Sequence, residues 1–413
     1  MERKLFYGWY VLAASFLMLV LEGGVRFSFG ILISPLAAEF SWSRAAITLA
    51  FTANMLVFGF SQLLAGKLLD RFGPRVVFST SAMIVTAGMI LTARMNSLVE
   101  FYLYYGVITA VGVSGITVGV VASTLSRWFR SMRGFISGVA ISGTALGQFL
   151  IIPAIAFLMG RFGWRMAWGV AGLFLSLVVV PIAVLVLRKE PSETGPQRSR
   201  SGGERGPQEA VSDPDIPQLG VSQILRSRNF IVICLTYFIC GFQDFLYVTQ
   251  LIPFALDRGL SNQEASNLQG LAGFLSVPGL LFFSFLSEKL GRKIPLSLTF
   301  VPRFLSFALL FYSTEKPFIY AYALLFGFTL MASAPLAPAI VGDLYGFKNI
   351  GTLTGTIFWI HHLGGALGAY VGGLVYDVMG SYRLAFAFVL FLAVIAVLTS
   401  VLILEKRSPV PKY

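Results

Sequence analysis

The stretch GKLLDRFGPR, residues 66–75, separates two apolar runs, and FLSEKLGRK, residues 285–293, separates another two far along the chain. Each joins a small or polar helix end to an acidic residue, basic residues and a glycine turn before the next run begins. Unrelated interhelical loops are the alternative reading, but each copy follows the second apolar run of its half. A repeat so placed divides the chain into two related bundles of membrane helices.

Composition agrees. Of 413 residues, 56% are hydrophobic and 12% charged, against roughly 25% charged in a soluble domain. Twelve apolar stretches stand out, at about 9–36, 45–68, 76–94, 99–126, 134–159, 165–187, 229–256, 265–287, 295–314, 318–341, 350–376 and 383–404, each of a length that crosses a bilayer core. The first follows MERKLFYGWY; it is too long for a signal peptide and lacks a small-residue cleavage pattern, so it is expected to be a transmembrane helix. The net charge of +12 does not point to nucleic acid, because the basic residues form short clusters between spans rather than aromatic-interleaved blocks. Cys234 and Cys240 lie inside one span with no disulfide framework or metal spacing, and are expected in the core.

Spans six and seven are separated by RKEPSETGPQRSRSGGERGPQEAVSDPDIPQLG, whose Pro, Gly, Ser and charge suit a flexible linker. The expected organisation is a six-helix bundle over 1–188, a cytoplasmic linker over 189–228 and a second bundle over 229–413. The termini and even-numbered loops hold 22 Lys and Arg, the odd-numbered loops 7, and two, Arg26 and Arg303, fall inside spans. That bias places both termini in the cytoplasm, with the chain multi-pass in a bacterial inner membrane. Equivalent bundles rocking about a central site suit alternating access, and a monomer supplies the whole pathway.

The twelve spans, the 66–75 loop and the linker together resemble the major facilitator superfamily over essentially the whole chain. The resemblance implies an all-α fold of two six-helix bundles, with Asp70 and Arg71 holding a charge-relay contact to a neighbouring helix in one conformation. The second copy of the loop has Glu288 where aspartate is usual. Within the superfamily, FYGWY at 6–10, the basic residue of GGVRFSFG, and RWFRSMRGFISGVAISGTALG at 127–147 resemble the monocarboxylate transporter family, a pattern shared by the bacterial oxalate/formate exchangers. Gly134, Gly138, Ser142 and Gly147 in that last stretch would let helices pack closely. The resemblance implies carriage of a small monocarboxylate such as L-lactate or pyruvate, commonly with a proton, or exchange of organic anions without one.

Polar residues inside spans are the candidates for that work, since they are costly in hydrocarbon and usually face a polar interior. Glu22 and Arg26, in EGGVRFSFG, are one helical turn apart and can pair. Arg26 is the expected carboxylate site, because a guanidinium offers two parallel donors, and Glu22 is its charge partner or a proton acceptor. In YFICGFQDFLYVTQLIPF (237–254), Asp244 is a proton carrier, a partner for Arg303 or a cavity-mouth residue; Tyr247 and Gln250 share its approximate face and could hydrogen-bond substrate. Arg303 lies near enough to a span end to snorkel, with gating or an interhelical ion pair as its expected role. His361 and His362, the chain's only histidines, point to different sides of their helix; one could orient substrate or exchange a proton. Asn54 and Gln148 are further cavity-lining candidates. Span eight, SNLQGLAGFLSVPGLLFFSF, lacks the aspartate and arginine of many relatives, which increases the dependence on Arg26. No third or fourth ligand is evident beside the histidines, so no metal is expected. With no nucleophile–base constellation, neither enzyme chemistry nor a cofactor is expected, leaving an organic anion, a proton and membrane lipid as partners.

Overall fold

The computed structural model describes residues 6–129, 133–187, 220–346 and 349–405, and helices are the only regular secondary structure among them. Most of the linker assigned to 189–228 falls outside the described residues.

Nine stretches of described helix are long and apolar enough to cross a bilayer. One of them, Ile136–Val186, would be about 77 Å long if straight, more than twice a hydrocarbon core. It turns instead at Gly163 (φ 77°) and holds two crossings. Adding Ile350–Met379, and Lys316–Thr329 continued by Leu336–Tyr345, brings the crossings to the expected twelve. Arg44–Arg94 turns the same way at Gly73 (φ 80°), where a left-handed backbone admits glycine readily and Pro74 opens the next helix. The second half repeats both turns, at Gly291 (φ 82°) and Gly380 (φ 65°), so the internal repeat is visible in the backbone.

The repeated loops carry ion pairs of opposite polarity. In the first, the loop supplies the acid: Asp70 lies 2.7 Å from Arg127, at the end of the fourth span. In the second, the loop supplies the base: Arg292 lies 2.9 Å from Asp343, at the end of the tenth, and 2.6 Å from Glu288. Burial pulls the Arg292 guanidinium down, but the hydrogen bonds and charges of Glu288 and Asp343 outweigh it and hold the group above its ordinary value. Glu405 accepts from the backbone N–H of Lys293 (2.6 Å), capping the helix that follows.

Two compact units emerge. One takes in the described parts of Met1–Arg198 with Leu246–Phe274 and Ala369–Ser381; the other takes in those of Ser199–Phe245, Leu275–Gly368 and Tyr382–Tyr413. In the first unit, the Gly8–Phe27 helix lies against the fifth span so closely that a Cβ on Gly147 would sit 1.9 Å from the Val20 carbonyl oxygen. Gly138, expected to serve the same contact, faces open space. FYGWY and RWF also meet: Phe6 stacks edge-on against Phe129 (5.6 Å), Tyr7 lies 5.4 Å from Trp128, and the Tyr7 hydroxyl donates to the Val186 carbonyl. These two sequence motifs are halves of one helix-end contact.

Candidate substrate and coupling sites

In the first unit, the opening helix breaks immediately after Arg26. Gly8–Phe27 ends at Ser28 (φ −84°, ψ 1°) and Phe29–Phe40 resumes the crossing. The Ser28 hydroxyl donates to the Val25 carbonyl, and Gln269 Nε2 donates to that of Phe27 (2.8 Å). The break leaves Arg26 at mid-crossing with its side chain 15% exposed and that of Glu22 3% exposed. Glu22 Oε1 stands 3.6 Å from Arg26 Nη1, an ion pair but longer than a hydrogen bond. The guanidinium also lies 4.1 Å from the centre of the Phe58 ring, within cation–π range.

The fourth crossing opens with Leu98–Phe101 and then widens into an eight-residue π-helix, Tyr102–Thr109. Side chains hold this turn in place. Asn54 Nδ2 donates to the Tyr105 carbonyl (2.7 Å), the Tyr102 hydroxyl to the Ala46 carbonyl (3.0 Å), and the Thr109 hydroxyl to the Tyr104 carbonyl (2.9 Å). Asn54 therefore directs its amide donor to backbone. Gln148 is buried, with its Nε2 unpartnered among the described residues, and it packs on Gly273. Gln250 donates to the Thr249 hydroxyl and the Ala369 carbonyl, both at 3.2 Å, while Tyr247 is buried in the same unit.

In the second unit a largely buried cluster forms around Asp244, with His361 its most exposed member at 15%. Its Oδ1 lies 2.8 Å from Arg303 Nη2, a contact of charge rather than an aligned hydrogen bond, and its Oδ2 accepts from His361 Nε2 at 3.1 Å. Close helix approach brings these groups together: a Cβ on Gly241 would lie 1.8 Å from the His361 carbonyl oxygen. The tenth crossing stops at Thr329 and resumes at Leu336, and the break frees carbonyls for this cluster. Arg303 Nη2 donates to the Thr329 carbonyl (3.0 Å) and the Tyr237 hydroxyl to that of Ser333 (2.8 Å). Irregular backbone at membrane depth is tolerated where protein satisfies it, and here it does.

Arg303 thus does not snorkel. Its side chain is 0% exposed, and Asp244 determines where it points. Cys240, one turn before Asp244, is more than a core residue: its sulfur lies 3.2 Å from Arg303 Nη1 and 3.5 Å from Asp244 Oδ2. Metal-type donors do converge beside a histidine, contrary to expectation, since Cys240, Asp244 and His361 fall within 4.8 Å of one another. The cation facing them is already Arg303, whose charge opposes a second. His361 Nδ1 is buried with no partner among the described residues, whereas His362 Nδ1 donates to the Phe358 carbonyl (2.6 Å). Asp70 pairs with Arg127 on a neighbouring helix, and the Arg71 guanidinium lies 5.2 Å from the Phe72 ring.

Twelve crossings, two repeated halves and ion pairs held inside the membrane define a secondary-carrier architecture. The Major Facilitator Superfamily model matches residues 15–266 and 233–413, and the chain belongs to that family: it is a multi-pass membrane transporter, not an enzyme. An uncharacterized MFS-type transporter of Bacillus subtilis (strain 168), YcxA, is 26% identical over 408 residues, covering 97% of this chain and 96% of its own. The oxalate:formate antiporter of Oxalobacter formigenes is 26% identical over 372 residues, covering 88% and 84%. Monocarboxylate transporter 13 of Bos taurus is 25% identical over 386 residues, covering 92% and 85%. Among solved structures, a bacterial homolog to the human lysosomal transporter Spinster, inward-facing and occupied, shares the fold with a TM-score of 0.77 at 16% identity, covering 97% of each chain.

Proposed function

We propose that this transporter carries a small monocarboxylate such as L-lactate or pyruvate with a proton, by alternating access between the bundles of 1–188 and 229–413. The supporting observation is Arg26: a membrane-embedded guanidinium whose acidic neighbour stands off at 3.6 Å, longer than a charge-assisted hydrogen bond. An arriving carboxylate offers two acceptors at closer range. Similarity to a monocarboxylate transporter supports the choice of anion.

Glu22 and Asp244 are the proton sites in this reading. A proton on Glu22 removes the competitor for Arg26, so anion and proton bind together and an uncompensated charge does not cross the low-dielectric centre. Asp244, shared by Arg303 and His361, is the second station; a proton there loosens Arg303, which with Asp70 serves gating. The protein works as a monomer in a bacterial inner membrane with both termini cytoplasmic.

The test is uptake of radiolabelled L-lactate into proteoliposomes, at symmetric pH and with an inward proton gradient, for wild type and Arg26→Gln. Gradient-stimulated flux that the substitution abolishes is the expected result; absence of lactate flux in vesicles proven competent by another anion refutes it. Organic anion exchange is the second reading, favoured by the similarity to an oxalate:formate antiporter. Counterflow that ignores the proton gradient would establish it.

A further inference from the structure

Arg44, the first residue of the second crossing, has no part in the transport scheme proposed above, yet it gathers the ends of three crossings within the first unit. Its Nη1 and Nη2 donate to the two carboxylate oxygens of Asp257, the last residue of Arg228–Asp257, at 2.8 and 2.7 Å. Its guanidinium carbon lies 3.6 Å from the centre of the Tyr376 ring, near the end of Ile350–Met379. The neighbouring Asp377 accepts from the backbone N–H groups of Arg44 (3.0 Å) and Ala45 (2.6 Å). These ends are in close contact: a Cβ on Gly373 would lie 2.6 Å from Thr48 Oγ1 and 2.8 Å from the Arg44 carbonyl oxygen. Twelve crossings put both described chain ends on one face of the membrane and Arg44, one crossing from the first, on the other.

Two parallel donors against two acceptors, with an aromatic ring stacked on the guanidinium, form the arrangement that recognises a planar carboxylate. Here the carboxylate is the protein's own. Water reaches it: the Asp257 side chain is 27% exposed and that of Arg44 12%, whereas that of Arg303 is 0% exposed. Drawing Asp257 away unaided would strip the guanidinium of charge-assisted hydrogen bonds, the strong kind. A free carboxylate that takes them over as Asp257 leaves preserves both the charge balance and the hydrogen bonds.

We infer that Arg44 is a capture site for the carboxylate of the cargo, occupied by Asp257 while this face is closed and yielded by it as the face opens. This rests on the proposal that the cargo is a small carboxylate, and not on the assignment of Arg26. Asp257 is then a competitor of the cargo, so its loss favours binding while the loss of Arg44 weakens it. In a pair that only closes the face, loss of either member acts in the same direction.

The experiment measures KM for L-lactate uptake into proteoliposomes at fixed ionic strength, in wild type, Asp257→Asn, Arg44→Gln and the double variant. Asp257→Asn should lower KM about fivefold, the scale of one net hydrogen bond, and Arg44→Gln should raise it by a similar factor. The double variant should keep the KM of Arg44→Gln, because no capture site remains to compete for. Any other pattern, whether both single variants move KM the same way or Asp257→Asn leaves it unchanged, overturns the inference. A second measurement needs no flux: lactate in place of chloride should speed labelling of a Thr48→Cys variant by a membrane-impermeant maleimide, and should not do so when Arg44→Gln is added. Absence of lactate flux would refute the proposed function, and equal labelling in lactate and chloride would overturn the capture site. Arg26→Gln should leave the lactate effect on labelling intact, so the two arginine sites stand or fall separately.

Discussion

Replacing Asp244 by asparagine keeps the side chain's shape and removes its charge. Arg303 would then be fully buried among neutral acceptors, the Thr329 carbonyl, the Thr329 hydroxyl and the Cys240 sulfur. Side-chain exposures of 0% for Arg303 and 7% for Asp244 leave little water to screen the orphaned charge. Removing one partner of such a pair costs about 3–5 kcal/mol, whereas replacing both by neutral groups is often close to neutral. Asp244→Asn should therefore be strongly destabilised, and Asp244→Asn with Arg303→Gln should recover most of the loss. A double-mutant cycle from reversible unfolding in mixed micelles measures this coupling. A single-variant loss below about 1 kcal/mol, the range of exposed pairs, would refute closed burial of the cluster. The same loss in the double variant would refute charge as its cause.

Gly368→Ala should abolish stable expression, because its Cβ would lie 2.1 Å from the Phe242 carbonyl oxygen, while Gly138→Ala, into open space, should stabilise by about 0.5–1 kcal/mol; fluorescence-detected size exclusion after heating separates the two. Arg44 holds Asp257 through two hydrogen bonds of 2.7 and 2.8 Å and lies 3.6 Å over the Tyr376 ring, while Asp377 accepts from the backbone N–H of Arg44 and Ala45. Asp257→Asn should loosen these helix ends and raise labelling of a Thr48→Cys variant by a membrane-impermeant maleimide roughly fivefold, for about 1 kcal/mol lost; an unchanged rate would refute a closing role. Asp70→Asn should cost under about 1 kcal/mol in unfolding, because the Asp70 side chain is 77% exposed.

The crossings were legible because hydrocarbon demands long apolar runs, and the glycine turns because Gly73 and Gly291 sit in recognisable loops. The break in span ten was not: TLMASAPLAPA, residues 329–339, stays apolar enough to read as continuous helix. For Arg303 the sequence allows both snorkelling and an interhelical ion pair, the latter being the one found. Counting from a span edge gives depth but not direction, and direction depends on Asp244 in a distant span. Cys240 precedes Asp244 by four residues, so its place on the same face could have been inferred from helical spacing. The π-helix left no compositional mark in YLYYGVIT, residues 102–109, and with it the setting of Tyr105 and the use of Asn54 stayed hidden.

The two repeated loops differ in how many partners share their pairing charge. Asp70 meets Arg127 across the helix ends of the first half, whereas Arg292 is shared by Glu288 of its own loop and Asp343 at the end of the tenth crossing. If Asp343 lets go, the guanidinium keeps an acid one helical turn away, so the second loop can part from its neighbouring helix without stranding a charge.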